Sequence, residues 1–145
     1  MITNSVLETK KIGSNLAHQI LKNKLSKQAI VIGLEGSLGG GKTSFVQGFA
    51  KGLGIKEKIL SPTFVIMKRF AIQSLRFTNL YHFDCYRIEK PSELLELGFK
   101  KIIQNPNNIV IIEWADKIKK ILPKRIIRVT FDFLAEKKRK IIIIK

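Results

Sequence analysis

Two periods of apolar residues take turns along the chain, one helical and one strand-like. Residues 5 to 25 carry Val6, Ile12, Leu16, Ile20 and Leu21 on a broad stripe, which predicts an amphipathic helix capped by Ser5 or Thr3. Residues 29 to 35 (AIVIGLE) form an apolar run suited to a buried strand. The helical period returns over residues 42 to 53, with Phe45, Val46, Phe49, Ala50 and Leu53 on one face and Gly54 placed to end the helix. A connector ending in Ser61-Pro62 leads to two strand-like runs, residues 63 to 72 and 75 to 84, whose short gap predicts an antiparallel hairpin. Pro91 opens a short helix that Gly98 stops, residues 99 to 104 add another turn or helix, and Asn105-Pro106-Asn107-Asn108 is a turn. Residues 109 to 113 (IVIIE) predict an apolar strand ending in an acid, and residues 116 to 122 a short helix ended by Pro123. Residues 125 to 133 and 140 to 144 predict closing strands, with 134 to 139 as the turn between them. The isoleucine run 141 to 144 would invite aggregation on an open edge, so paired strands or a cover are expected there. Strands interleaved with helices in a chain of 145 residues predict one α/β domain spanning residues 1–145.

The junction between the first buried strand and the second helix reads Gly-Ser-Leu-Gly-Gly-Gly-Lys-Thr, residues 36 to 43. Gly36, Gly41, Lys42 and Thr43 match the G-x-x-x-x-G-K-[ST] spacing of a phosphate-binding loop. Glycines let the backbone curl so that successive N–H groups converge on phosphate oxygens. Lys42 supplies a cation for the β- and γ-phosphates, the Thr43 hydroxyl suits Mg²⁺, and the helix start aims its positive end at the same anion. The competing reading, a glycine-rich turn with no ligand, is disfavoured because strand, loop and helix are all in place. The cofactor-binding set is therefore Gly36, Ser37, Leu38, Gly39, Gly40, Gly41, Lys42, Thr43 and Ser44, and the expected cofactors are ATP and Mg²⁺. No N-K-x-D motif is present to select guanine, which favours adenine.

Composition narrows the setting. No apolar stretch is long enough to cross a membrane, and the start MITNSVLETKK lacks a signal-peptide core. Cys85 is the single cysteine, so no internal disulfide forms, and a cytoplasmic location is expected. The net charge of +16 admits nucleic acid as a partner, but 21 Lys against 6 Arg is a poor match for base-reading forks. With three Asp and eight Glu, an acid at a strand end stands out.

Two such acids are Asp84 and Glu113. Ligands of open α/β sheets sit beyond the carboxyl ends of strands. If the strands are neighbours, Thr43, Asp84 and Glu113 meet there as hard oxygen donors for Mg²⁺, directly or through water. The alternatives are a strand-end acid paired with lysine for Glu113 and an ordinary loop acid for Asp84. Glu113 is followed by Trp114, not by a second acid, so slow intrinsic hydrolysis is expected unless a partner completes the site. Ser61-Pro62-Thr63 reads either as a γ-phosphate sensor or as a rigid turn. Trp114 lines a pocket or a partner surface, or simply packs. His82 reads as a structural hydrogen-bonder more than a catalyst, and Cys85 as a buried thiol.

The succession LEGSLGGGKTSFVQGFAKGLG, SPTF (61 to 64), HFDCYRI (82 to 88), ELLELGF (93 to 99) and IIEWADKI (111 to 118) resembles the TsaE family of small bacterial ATPases over roughly residues 5 to 133. The resemblance implies a P-loop NTPase-like mixed β-sheet flanked by helices in a three-layer sandwich. It implies a Mg²⁺-dependent ATPase required for threonylcarbamoyladenosine at position 37 of ANN-decoding tRNAs. Such proteins bind the TsaB–TsaD heterodimer near the TsaD cleft, with tRNA in or near the complex, and their hydrolysis supports its turnover. By that analogy Lys42 and Thr43 bind phosphate and Mg²⁺. Asp84 and Glu113 are metal-side or catalytic acids, and Thr63 joins the catalytic set from a switch-like loop. The chain departs from the family's G-D-L-G-A-G-K-T at Ser37, which removes a carboxylate, and at Gly40. A small-molecule or nucleotide kinase is the enzyme alternative, disfavoured by the absence of an Arg-rich lid, and a basic RNA-binding module is the non-enzyme alternative.

Overall fold

The computed structural model describes residues 1–23, 26–37, 39, 41–60 and 65–145. Among these, seven strands form one mixed sheet: β1 (Ile2–Thr3), β2 (Ile30–Gly36), β3 (Met67–Ala71), β4 (Asn79–Asp84), β5 (Asn108–Glu113), β6 (Ile127–Ala135) and β7 (Lys138–Ile144). Their order is β1-β7-β6-β2-β5-β4-β3. The centre is parallel, β2 running with both β5 and β6 and β4 running with β5, while β3, β7 and β1 join antiparallel. The helices are α1 (Val6–Lys22), α2 (Lys42–Gly52), α3 (Ser92–Glu96) and α4 (Phe99–Gln104), with a 3₁₀ helix over Ala115–Ile121.

Strand alternation sends side chains to two cores. Ile109 and Ile111 of β5 join Ile32 and Leu34 of β2 against α1 and α2. Val110 and Ile112 pack with Phe83, Leu94, Phe99 and Ile118 beneath α3, α4 and the 3₁₀ helix. Helices therefore cover both faces, as the three-layer α/β expectation requires. β5 is buried at every position, which explains its unbroken apolar sequence.

All five residues expected on the inner face of α2 are buried. The helix ends as a Schellman turn: Gly54 (φ +82°) donates to Lys51, and Ile55 donates to Ala50. Ser5 caps α1, its hydroxyl accepting from the Glu8 N–H at 3.1 Å. The buried stripe of α1 is Thr9, Gly13, Leu16, Ala17 and Ile20, so Val6 is exposed where the sequence suggested burial. The reason lies in how closely α1 meets α2. A Cβ on Gly13 would stand 2.3 Å from the Phe45 carbonyl oxygen, and one on Gly48 would stand 2.0 Å from that of Lys10. Small residues at this seam bring the two backbones together, and larger side chains turn away.

The remaining differences are at boundaries. The expected strand over 63 to 72 is described only from Met67, because Ser61, Pro62, Thr63 and Phe64 lie outside the described residues. The turn between β6 and β7 is tighter than expected, because β6 runs on to Ala135 and β7 starts at Lys138. β1 is too short to carry a period and was not foreseen. It pairs with Lys140 and Arg139, and Met1 exchanges hydrogen bonds with Ile141, so β7 is flanked on both sides over its first half.

Candidate functional site

The sheet order places β2, β5 and β4 side by side, so the glycine-rich junction after β2, Glu113 and Asp84 share one edge. Asp84 and Glu113 are register partners across β4 and β5. Both lie on the face covered by α2, because they are two and four residues beyond side chains that pack there.

The loop leaves β2 at Gly36, whose φ of +137° and close approach to β6 exclude a side chain: a Cβ would stand 2.2 Å from the Phe131 carbonyl oxygen. Gly41 (φ +99°) then starts α2, and its N–H groups are the first-turn donors that a helix leaves unpaired. Lys42 is buried, and its ammonium donates to the carbonyls of Gly36 (2.9 Å) and Ser37 (2.8 Å). It also sits 4.0 Å above the Trp114 ring centre. Burial holds the Lys42 pKa below its ordinary value, opposed by the carboxylates of Glu113, Asp116 and Asp84. An anion arriving at this point would favour the charged form in the same sense as those carboxylates.

Thr43 is one turn position on. Its hydroxyl donates to Glu113 Oε1 at 3.0 Å, which leaves the oxygen lone pairs for a cation. Glu113 is buried to 3 % exposure, and its second oxygen accepts from His82 Nε2 at 2.6 Å. His82 is 1 % exposed, so the imidazole and carboxylate hold each other away from water. Asp84 is half-buried, and its Oδ1 accepts the Tyr86 N–H at 3.0 Å. Thr43, Glu113 and Asp84 are hard oxygen donors, the set that suits Mg²⁺ alongside phosphate and water oxygens.

Trp114 takes a left-handed conformation (φ 60°), the single non-glycine case among the described residues. That turn breaks β5 immediately after Glu113 and sets the indole over Lys42, with Tyr86 against it at 5.1 Å. Cys85, following Asp84, is fully buried, and burial foremost, with Asp84 next, pushes its thiol pKa up to about 12. Of the expected site residues, Gly36, Ser37, Gly39, Gly41, Lys42, Thr43, Ser44, Asp84 and Glu113 gather at this edge. Leu38, Gly40 and Thr63 lie outside the described residues. His82 is the structural hydrogen-bonder that the sequence suggested, and its partner Glu113 is set by the β4–β5 register.

The family model "Threonylcarbamoyl adenosine biosynthesis protein TsaE" matches residues 3–141. This chain belongs to the TsaE family. Its TsaE relatives include that of Rickettsia felis, 36% identical over 140 residues (96% of this chain, 75% of the relative). The TsaE of Treponema pallidum is 35% identical over 118 residues, covering 81% of this chain and 84% of its own. Each of these relatives is described as a tRNA threonylcarbamoyladenosine biosynthesis protein. A crystal structure of Bacillus subtilis YdiB is similar with a TM-score of 0.74 and 30% identity, covering 97% of this chain and 80% of that one. The mixed sheet with flanking helices is thus the fold of a solved relative as well as the one expected.

Proposed function

We propose that this TsaE-family chain is a Mg²⁺-dependent ATPase that serves tRNA threonylcarbamoyladenosine formation through the TsaB–TsaD heterodimer. The observation that carries the reading is the Thr43–Glu113 hydrogen bond at 3.0 Å, which couples the phosphate loop to a buried strand-end acid. In the reaction, water adds to the γ-phosphorus as its bond to the β–γ bridging oxygen breaks, giving ADP and inorganic phosphate. The loop amides and the α2 N-terminus bind the phosphates. Lys42 leaves the Gly36 and Ser37 carbonyls to meet the β- and γ-oxygens. Glu113 orients Thr43 and is itself fixed by His82. Asp84, on the adjoining strand end, orients water. Bound Mg²⁺ would neutralise charge on the β- and γ-oxygens.

One strand-end acid followed by Trp114 supports slow turnover until a partner orders the loops. The basic surface suits an anionic neighbour, tRNA or an acidic protein face, within the complex, and no helix is long and apolar enough to cross a membrane.

The test is phosphate release from ATP and Mg²⁺ without any acceptor, alone and with TsaB–TsaD. Wild type should release phosphate slowly, and faster with the heterodimer. Lys42→Ala should lose nucleotide binding while keeping the wild-type circular dichroism. Phosphate release that needs a small-molecule acceptor would replace this reading with a kinase, and normal hydrolysis by Lys42→Ala would remove the site assignment.

A further inference from the structure

Arg139 lies about a hundred positions from the phosphate loop in sequence, yet its Nε donates to the Gly39 carbonyl oxygen at 2.8 Å. The placement is built. Arg139 is the cross-strand partner of Phe133 on the β6–β7 hairpin, and its guanidinium carbon lies 4.4 Å from the Phe133 ring centre. A register shift between Phe133 and Ala135 bends the hairpin end, and Nη1 of Arg139 gathers the carbonyls of Ala135 (2.7 Å), Glu136 and Lys138 (both 3.1 Å). The side chain is therefore stacked, forked and only half-exposed. Its stem also passes the loop a second time, since a Cβ on Gly41 would lie 4.0 Å from Arg139 Cγ.

A phosphate loop turns its amides inward, and the Gly39 carbonyl is the one that meets the hairpin. A cation donating to such a carbonyl fixes the peptide plane and strengthens the donor at the peptide's other end. We propose that Arg139 is a positioning residue of the nucleotide site: it braces the phosphate loop from the C-terminal hairpin and so sets the affinity for the nucleotide phosphates. The inference rests on the nucleotide-binding reading above. It extends the site to β7, two strands away from β2, by a residue that touches the loop and not the reacting atoms. Lysine would not replace it, because one ammonium lacks the planar fork that reaches Gly39 and the turn carbonyls together.

The experiment measures the Kd of ADP and of a non-hydrolysable ATP analogue with Mg²⁺. Trp114 fluorescence is the signal, since this single tryptophan lies against Lys42. Arg139→Gln should bind both nucleotides about tenfold more weakly, the size of one charge-assisted hydrogen bond. Lys137→Gln, which removes the same charge from the exposed hairpin turn, should bind as wild type does. In phosphate release measured over a range of ATP concentrations, Arg139→Gln should raise KM for ATP while leaving kcat within about twofold. If Arg139→Gln does not fold, Arg139→Lys carries the test, with at least about a threefold loss expected. Equal affinity in Arg139→Gln and wild type, or equal losses in Arg139→Gln and Lys137→Gln, would overturn the inference. A wild-type protein that binds neither nucleotide would instead overturn the nucleotide-binding reading.

Discussion

Replacing His82 by Phe keeps a buried ring in place and deletes the N–H that holds Glu113. The structure sets the size of the effect. The bond is 2.6 Å long, and its partners are 1 % and 3 % exposed. A hydrogen bond to a charged group contributes roughly 1.5–3 kcal/mol, and a buried acceptor left unpaired costs about 1–3 kcal/mol or more. These overlap, so about 3 kcal/mol is expected, which a domain with ordinary stability of 5–15 kcal/mol survives. In a chain this long, that lowers the unfolding midpoint by roughly 6–12 °C. The second effect is on the nucleotide. With Oε2 unpaired, Glu113 turns or leaves, and Thr43 loses its fixed orientation, so phosphate release should fall even in the fraction that stays folded. His82→Gln returns one amide donor and should recover part of both losses. The assay pairs thermal circular dichroism with a double-mutant cycle against Glu113→Gln, where a coupling of about 1 kcal/mol or more is expected. A midpoint within about 2 °C of wild type, or a coupling within about 0.3 kcal/mol of zero, refutes the reasoning.

Three further outcomes follow from the same geometry. Gly48→Ala should destabilise by about 1–3 kcal/mol in urea unfolding, although alanine favours helix by about 1 kcal/mol, because its methyl would stand 2.0 Å from the Lys10 carbonyl oxygen; unchanged or raised stability would contradict the backbone seam. Glu93 accepts the backbone N–H groups of Lys90 and Glu89, and these bonds hold its pKa below the ordinary 4.5. Its contribution is therefore fully present above pH 4.5 and lost as pH falls through the lowered value, so wild type and Glu93→Gln should differ at neutral pH and converge in acid; a gap that widens in acid would reverse the sign. Cys85, buried with its thiol pKa near 12, should react with a thiol reagent at mildly alkaline pH only after denaturant is added, and rapid labelling of the native protein would place it elsewhere.

The parts of the site legible from sequence were the ones fixed within a few residues. Glycine spacing from Gly36 to Gly41 reports the loop because backbone conformation there is a local matter. The apolar runs before Gly36 and before Glu113 report buried strands because both faces of a central parallel strand are covered. What escaped was non-local. The partner of His82 depends on a parallel register between β4 and β5, which no stretch of either strand encodes alone. Arg139 reaches Gly39 only after β7 has folded back on β6. β1 exists because two residues meet an edge at the far end of the chain, and a two-residue element has no period to read. The short helix expected over residues 116 to 122 is present as a 3₁₀ helix, Ala115–Ile121.

β3 ends the sheet on the side opposite β1, and it carries Lys68 and Arg69 exposed to solvent. A foreign strand seeking to append itself there must dock beside two cations. Another copy of this protein, bearing its own +16, meets repulsion on approach, so self-templating along this border is electrostatically discouraged and grows easier as salt screens the field.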